Sequence, residues 1–378
     1  MLVGVVGGGQ LARMMAPEFQ RLGIGARVLV EEPGSSADQV YADTLVGACG
    51  DLDKLMRFAD GLDVLTFEHE HVPPQHIQTL ENAGVVVYPG SHVLIYAQNK
   101  LKMRCKLAEL GIPVPAFSAV KDLDGIKQLA KGTLSGKVVL KAPTGGYDGR
   151  GVCVFDAAQD FDQLPAYAKS NTELLVEECV DFSRELCAPV VRASTGELVY
   201  YDVVETVQVD GICKTVIAPA PNLKQGAVDF QEVAQNTARE IAEGLGVVGV
   251  LAVEMFQRGD ELLVNELAMR PHNSGHWTIS GAVTSQFENH IRAVCGLSLG
   301  TTARTSKWTV MSNILGRVRT NLSDALPRAL EFDNRAKVNL YGKTARLGRK
   351  LGHVNISGEN LEELLERSSA ISAIFEGD

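Results

Sequence analysis

Glu254 and Glu266, in the run VEMFQRGDELLVNE, make the clearest chemical demand of any pair of side chains in this 378-residue sequence. A hairpin turning about Asp260 sets the two carboxylates directly opposite each other on one sheet face. Facing carboxylates repel unless a cation lies between them, and the apolar run VGVLAVEM argues against a solvated hairpin end. Mg²⁺ bridging nucleotide phosphates is the natural filler, because this hard ion takes one or two carboxylates together with phosphate oxygens and water. Asn265 stands beside the pair, and Mn²⁺ suits the same oxygen donors.

Five other motifs carry chemistry. In KAPTGGYDGRG, Lys141 closes a strand, and Gly145, Gly146, Gly149 and Gly151 let backbone N–H groups turn toward phosphate oxygens, as in a mobile lid. A glycine-rich hairpin is the plainer reading, and the chain has no Walker A loop. RPHNSGHWT (270–278) packs Arg270, His272, Asn273, Ser274 and His276 into a donor-rich loop suited to a small oxyanion. The two histidines would share a metal only on a helix, which Pro271 and Gly275 oppose. KTARLGRKLGH offers Lys343, Arg346, Arg349, Lys350 and His353 as an anchor for a phosphate monoester, or else a solvated face. GGGQLA (7–12) fits a dinucleotide fingerprint with Glu31 or Glu32 at the second strand end, although any tight strand-to-helix turn wants such glycines. In FEHEHVPP, His69 and His71 alternate with carboxylates at a strand end, where Glu68 would face a substrate.

The elements that must hold these groups read as α/β followed by α+β. LVGVV, a helix over 10–22, ARVLV, DVLTF, a helix over 75–82 and VVVY form a βαβ succession and hence a parallel sheet. A charged helix near 97–111 runs into the linker IPVP. From 137 to 218 the runs are short, with one helix near 157–169, and they predict antiparallel strands; 197–209 reads as one of them. Helices over 228–244, 283–295 and 358–367 follow. A formal charge of −10 leaves no excess of basic groups for a nucleic-acid backbone. No apolar run is long enough to span a bilayer, and the N-terminus reads as a buried strand and not a signal peptide, so a cytoplasmic protein is expected. The seven cysteines are odd in number, lack a CxxC pair and read as core thiols.

Taken in order, the lysine-glycine loop, VEECV, the two carboxylates and the NE dipeptide resemble the ATP-grasp superfamily. More narrowly, GGGQLARM, TGGYDGRG, RPHNSGHWT, SQFE and GRKLGHVN look like the N5-carboxyaminoimidazole ribonucleotide synthase family of purine biosynthesis. The resemblance implies an ATP-grasp fold: a Rossmann-like domain over 1–97, an ATP-grasp domain over 98–295 with a lid at about 112–182, and a small C-terminal domain over 296–378. It implies ATP-dependent carboxylation of 5-aminoimidazole ribonucleotide by bicarbonate through carboxyphosphate, with a homodimer and a functional link to a carboxyaminoimidazole ribonucleotide mutase. Lys100 and Lys141 would contact ATP phosphates, and Gly146, Tyr147, Asp148, Gly149, Arg150, Gly151 and Val152 would form the lid. Glu177, Glu178, Cys179 and Val180 would read adenine, chiefly through backbone, with Glu185 on the ribose and Gln208 beside the nucleotide. Glu254, Glu266 and Asn265 would hold Mg²⁺. Arg270, His272 and Asn273 would hold bicarbonate or carboxyphosphate, while Tyr147 and Asp148 would meet the substrate amine. Gln10, Leu11, Glu68 and Ser274 would be further substrate contacts, with Lys343, Arg349 and Lys350 on the ribonucleotide phosphate. Lys100 stands where Arg is common, Gln208 where His is frequent, and His69 and His71 where an aromatic residue and Asn are usual. A sister ligase such as a formate-dependent glycinamide ribonucleotide transformylase or a biotin carboxylase would lack RPHNSGHWT. An NAD-dependent oxidoreductase would leave the carboxylate pair unexplained, and a nucleotide-binding scaffold would not need it.

Overall fold

Apolar runs of strand period alternating with helices build the first layer of the structure, a computed structural model that describes residues 1–132, 137–145, 151–156, 164, 167, 173–317 and 321–377. β1 (Leu2–Val6), α1 (Gln10–Leu22), β2 (Gly25–Val30), β3 (Asp43–Val46), α2 (Leu52–Ala59) and β4 (Val64–Phe67) form a parallel sheet in the order β3-β2-β1-β4. Its strands are nearly all apolar because helices cover both faces. VVVY, expected as a further strand, makes only the single bridge Leu65–Val87, since the helix starting at Ser91 and Pro89 before it cut the run short. α3 (Pro74–Asn82), α4 (Ser91–Gln98) and α5 (Lys100–Glu109) close this layer.

β5 (Phe117–Val120), α6 (Leu123–Lys131), β6 (Lys137–Lys141), β7 (Val152–Asp156) and β8 (Leu174–Glu178) form a smaller antiparallel sheet, ordered β5-β8-β6-β7. The helix expected near 157–169 lies outside the described residues apart from two isolated positions, and so do Gly146, Tyr147, Asp148, Gly149 and Arg150.

The central sheet takes β9 (Arg184–Arg192), β10 (Leu198–Tyr200), β11 (Val204–Val209) and β12 (Ile212–Ala218). A short ribbon, β13 (Lys224–Gln225) and β14 (Val228–Asp229), leads into α7 (Phe230–Leu245), whose Asp229 cap accepts from Gln231 and Glu232. Next come β15 (Gly249–Arg258), β16 (Glu261–Ala268), α8 (Thr278–Gly281), α9 (Gln286–Val294) and β17 (Trp308–Leu315). α10 (Leu322–Phe332), β18 (Lys337–Leu340), β19 (Lys350–Gly358) and α11 (Leu361–Glu376) complete the chain. The run 197–209 is two strands and not one, because buried Tyr201 turns inward to donate to the Thr284 carbonyl at 2.9 Å. The order is β16-β15-β9-β11-β12-β17-β19-β18, with β10 on β9, so the last three strands continue the sheet that carries the carboxylates.

Apolar packing locks the layers together. One core joins Leu65, Phe67, Ile77 and Leu80 of the first layer to Leu186, Ile241 and Val253 around the central sheet. A second packs α1, through Met15 and Phe19, against Phe287 and Ile291 of α9. The C-terminal end of the parallel sheet is thereby fixed opposite β15 and β16, and the cavity described next lies between them.

Candidate active site

The hairpin β15–β16 pairs Glu254 with Glu266, but not for the reason the turn position implies. The turn is Gly259–Asp260, and its register of Arg258 with Glu261 and Met255 with Val264 would set Glu254 against Asn265. A β-bulge at Asn265 shifts the ladder by one residue and brings Glu266 opposite Glu254. Burial first, then the charges of Glu266 and Glu185, push Glu254 from the usual 4.5 up to about 8. Such a carboxylate ionises readily only beside a cation.

Cations surround the pair. Lys100 starts α5, where Asn99 caps the helix by accepting from Lys102 N at 2.9 Å. Its amide donates to the Pro143 carbonyl in the lid at 2.8 Å, and its Nζ meets Glu266 at 2.5 Å. Lys141, at the end of β6, reaches Asn265 Oδ1 at 3.3 Å and Glu177 at 2.6 Å. Burial lowers the Lys141 pKa, with Glu177 opposing that shift. Burial would raise the Glu177 pKa, but Arg104 and Lys141 hold it below the ordinary value. Arg104 is wholly buried in α5 and binds Glu177 and the Val264 carbonyl. Sequence reasoning missed it, because nothing in a charged helix tells which cation turns inward.

The oxyanion loop follows β16 directly. Arg270 Nε lies 2.9 Å from Glu70, one of the two carboxylates of the FEHEHVPP run. His272 is half-buried, and desolvation and then Arg270 and Lys350 hold its pKa well below the ordinary value, so the ring is neutral. Its Nδ1 accepts from Ser274 N at 3.4 Å, a bond that suits the tautomer with the ring proton on Nε2, and Nε2 lies 3.1 Å from Glu254 Oε1. Asn273 lines the cavity with both carboxamide atoms buried and lacking a hydrogen-bond partner, apart from an approach to the Cys213 thiol. Ser274 corrects an expectation: it is 1 % exposed, and its hydroxyl lies 2.9 Å from His272 Nδ1 and 3.1 Å from Cys187, so it supports His272 and does not touch a substrate. His276 sits behind the loop against Phe287, and the two histidines do not converge.

These groups open into one cavity of about 870 Å³. One side of its lining includes Lys100, Lys141, Gly145, Val152, Glu177, Glu178, Cys179, Val180, Glu185, Gln208, Asn265 and Glu266. Gln208 donates to Glu185 at 3.1 Å, and Glu178 is engaged by Arg258 at 3.2 Å. The far side includes Gln10, Leu11, Glu68, Glu254, Arg270, His272, Asn273 and Lys350. Lys343 stands behind that wall and donates to Gln10, while Arg349 donates to the Thr344 carbonyl at 3.2 Å. His353 is no phosphate anchor, since it is fully buried with Nδ1 2.7 Å from the Tyr341 hydroxyl.

The glycine turn at 7–12 is occupied from within the chain. Glu68 accepts from Gly9 N at 2.6 Å, Leu11 N at 3.2 Å and Ala12 N at 3.4 Å, filling the anion site at the N-terminus of α1. A Cβ at Gly7 or Gly9 would come within 2.3 Å of that side chain. The glycines make room for Glu68, and a dinucleotide pyrophosphate has no place there. His69 lies close to Cys49 and Glu31, and its Nδ1 accepts from His71 N at 3.2 Å.

The two-lobed sheet architecture and the cavity between its lobes define an ATP-grasp protein, and the ATP-grasp domain family matches residues 105–287. The ribonucleotide synthetase preATP-grasp domain matches residues 1–98, and the phosphoribosylaminoimidazole carboxylase C-terminal domain matches residues 309–367. The N5-carboxyaminoimidazole ribonucleotide synthase of Mycobacterium tuberculosis is 47% identical over 379 residues, covering 97% of this chain and 86% of the relative. The synthase of Corynebacterium ammoniagenes is 42% identical, covering 99% and 91%. Among solved structures, the Thermus thermophilus synthetase aligns with a TM-score of 0.87 at 37% identity, over 100% of this chain and 99% of that one. An Aspergillus clavatus synthase in complex with ADP and 5-aminoimidazole ribonucleotide aligns with a TM-score of 0.88 at 30% identity, over 100% and 99%. The chain belongs to the N5-carboxyaminoimidazole ribonucleotide synthase family.

Proposed function

We infer that this chain is an ATP-dependent carbon–nitrogen ligase that carboxylates 5-aminoimidazole ribonucleotide with bicarbonate, giving the N5-carbamate, ADP and phosphate. The observation that carries the reading is that the carboxylate pair and the oxyanion loop open into the same cavity. Phosphoryl transfer needs positioning and charge neutralisation more than covalent chemistry. Lys100 and Lys141, both lining the cavity, are assigned to the ATP phosphates, with Gly146–Val152 assigned as the lid. Two carboxylates and Asn265 form a hard oxygen set, and the raised Glu254 carboxyl fits a site built for a divalent cation. Glu254 and Glu266 would hold Mg²⁺, which supplies charge neutralisation at the transferring phosphoryl group.

Bicarbonate carries both a negative oxygen and a hydroxyl, and Asn273, which borders the cavity with a carboxamide able to donate and accept, is assigned to it. Arg270 adds charge and His272 a neutral donor. Transfer of the γ-phosphoryl group yields carboxyphosphate, which releases CO₂ beside the amine of the ribonucleotide. Closure matters because water destroys that intermediate. Tyr147 and Asp148 are assigned to the amine, and Lys343, Arg349 and Lys350 to the ribonucleotide phosphate. Gln10 and Leu11 complete that wall, their turn held by Glu68. We further assign a homodimer in the cytoplasm, handing the carbamate to a carboxyaminoimidazole ribonucleotide mutase. No helix among the described residues is long and apolar enough to cross a membrane.

Steady-state ADP release in Glu266→Gln and Asn273→Ala tests the assignment. Both variants should lose on the order of 100-fold in turnover while folding normally. Wild-type turnover in either would contradict the role given to that residue.

A further inference from the structure

The segment SQFE carries a side chain with no part in the chemistry above. Gln286, the first residue of α9, is fully buried, yet its carboxamide is spent on the oxyanion loop. Its Oε1 accepts from His272 N at 2.9 Å, and its Nε2 donates to the His272 carbonyl at 2.7 Å and to His276 Nδ1 at 3.1 Å. Two bonds to the N–H and C=O of one residue pin it as a neighbouring strand would. They hold His272 extended, at φ −126° and ψ 156°. The loop is packed down on this carboxamide: a Cβ at Gly275 would lie 2.3 Å from Gln286 Oε1. The Gln286 amide is itself tied to Thr278 Oγ1 at 2.9 Å, and that hydroxyl donates to the Gly275 carbonyl, so the clamp and the loop form one network.

We propose that Gln286 is a positioning residue for bicarbonate, setting where Arg270, His272 and Asn273 point by clamping the His272 backbone from behind. The proposal rests on the assignment of this loop to bicarbonate. Leucine at 286 would fill the space, leave the His272 N–H unpaired and leave the His272 carbonyl with only the Gly275 N–H at 3.0 Å. Glutamate would still accept from His272 N but could not donate to its carbonyl. Either change frees the loop while leaving the nucleotide side of the cavity intact.

The test is the set of KM values for bicarbonate and MgATP, with kcat and melting temperature, in the wild type, Gln286→Leu, Gln286→Glu and His272→Ala. Displacing a bound reactant by a fraction of an ångström is costly, so both Gln286 variants should raise KM for bicarbonate about tenfold or more. KM for MgATP should stay within about twofold, a split that general loosening of the fold would not produce. Gln286→Asn, which keeps both polar groups one methylene short, should fall between and serves if the leucine variant fails to fold. A folded Gln286 variant with wild-type KM for bicarbonate, alongside a raised KM in His272→Ala, would overturn the proposal alone. An unchanged KM in His272→Ala would overturn the loop assignment and the proposal with it.

Discussion

At the scale of single residues, the raised Glu254 carboxyl has a consequence that can be measured without turnover. Burial and the neighbouring Glu266 and Glu185 charges lift it from 4.5 to about 8 in the folded chain, so the fold favours its neutral form. Its contribution to stability is therefore complete below about pH 4.5 and lost as pH rises through about 8. A divalent cation binds the ionised form and acts in the opposite direction, so the gain in melting temperature from Mg²⁺ should be larger at about pH 8.5 than at about pH 6. Glu254→Gln should abolish that difference, and a gain independent of pH in the wild type would contradict a metal role for Glu254. The sequence showed this pair because two acids in an apolar hairpin need an explanation. It did not show Arg104, or that Glu70 would pair with Arg270 and Gln286 with His272, because these partners depend on which way a side chain turns after packing. Ser274 was misplaced for the same reason, since a donor-rich loop does not reveal which hydroxyl faces the cavity and which faces the core.

Elements were legible where local period is strong and misread where pairing decides. α1 and β15 follow from helical and strand periodicity, whereas the bulge at Asn265 depends on β9 and β16 both pairing with β15. The glycine turn before α1 looked like a cofactor fingerprint because the same small residues let any anion approach a helix N-terminus. That the anion is Glu68, from the end of β4, is a tertiary fact. Gly9→Ala tests it: the added Cβ would lie 2.3 Å from the carboxylate and displace it from the amides. The variant should lose about 1–3 kcal/mol in chemical denaturation, the usual cost of overpacking a tight site. Wild-type stability would show that Glu68 is not held there.

For the whole molecule, the order of strands matters more than the domain spans read from the sequence. Residues 296–378 look like an appended unit, yet β17 pairs β12, and Met311 packs with Trp277 and Val216 in one core. Pairing across so many residues leaves no local mark. Truncation after residue 295 would expose the edge of β12 and the part of that core that Met311 covers, so the shortened chain should aggregate or lack a cooperative melt. A soluble fragment melting within a few degrees of the full chain would contradict this. The same continuity ties Lys350, at the start of β19, to the cavity lined by Glu254. One cavity serving both halves of the reaction requires the two halves to be coupled. With MgATP, labelled bicarbonate and 5-aminoimidazole ribonucleotide, the purified chain should form one labelled carbamate per ADP and release little ADP when the ribonucleotide is left out. ADP release at the same rate without the ribonucleotide, or with no label in the product, would contradict it.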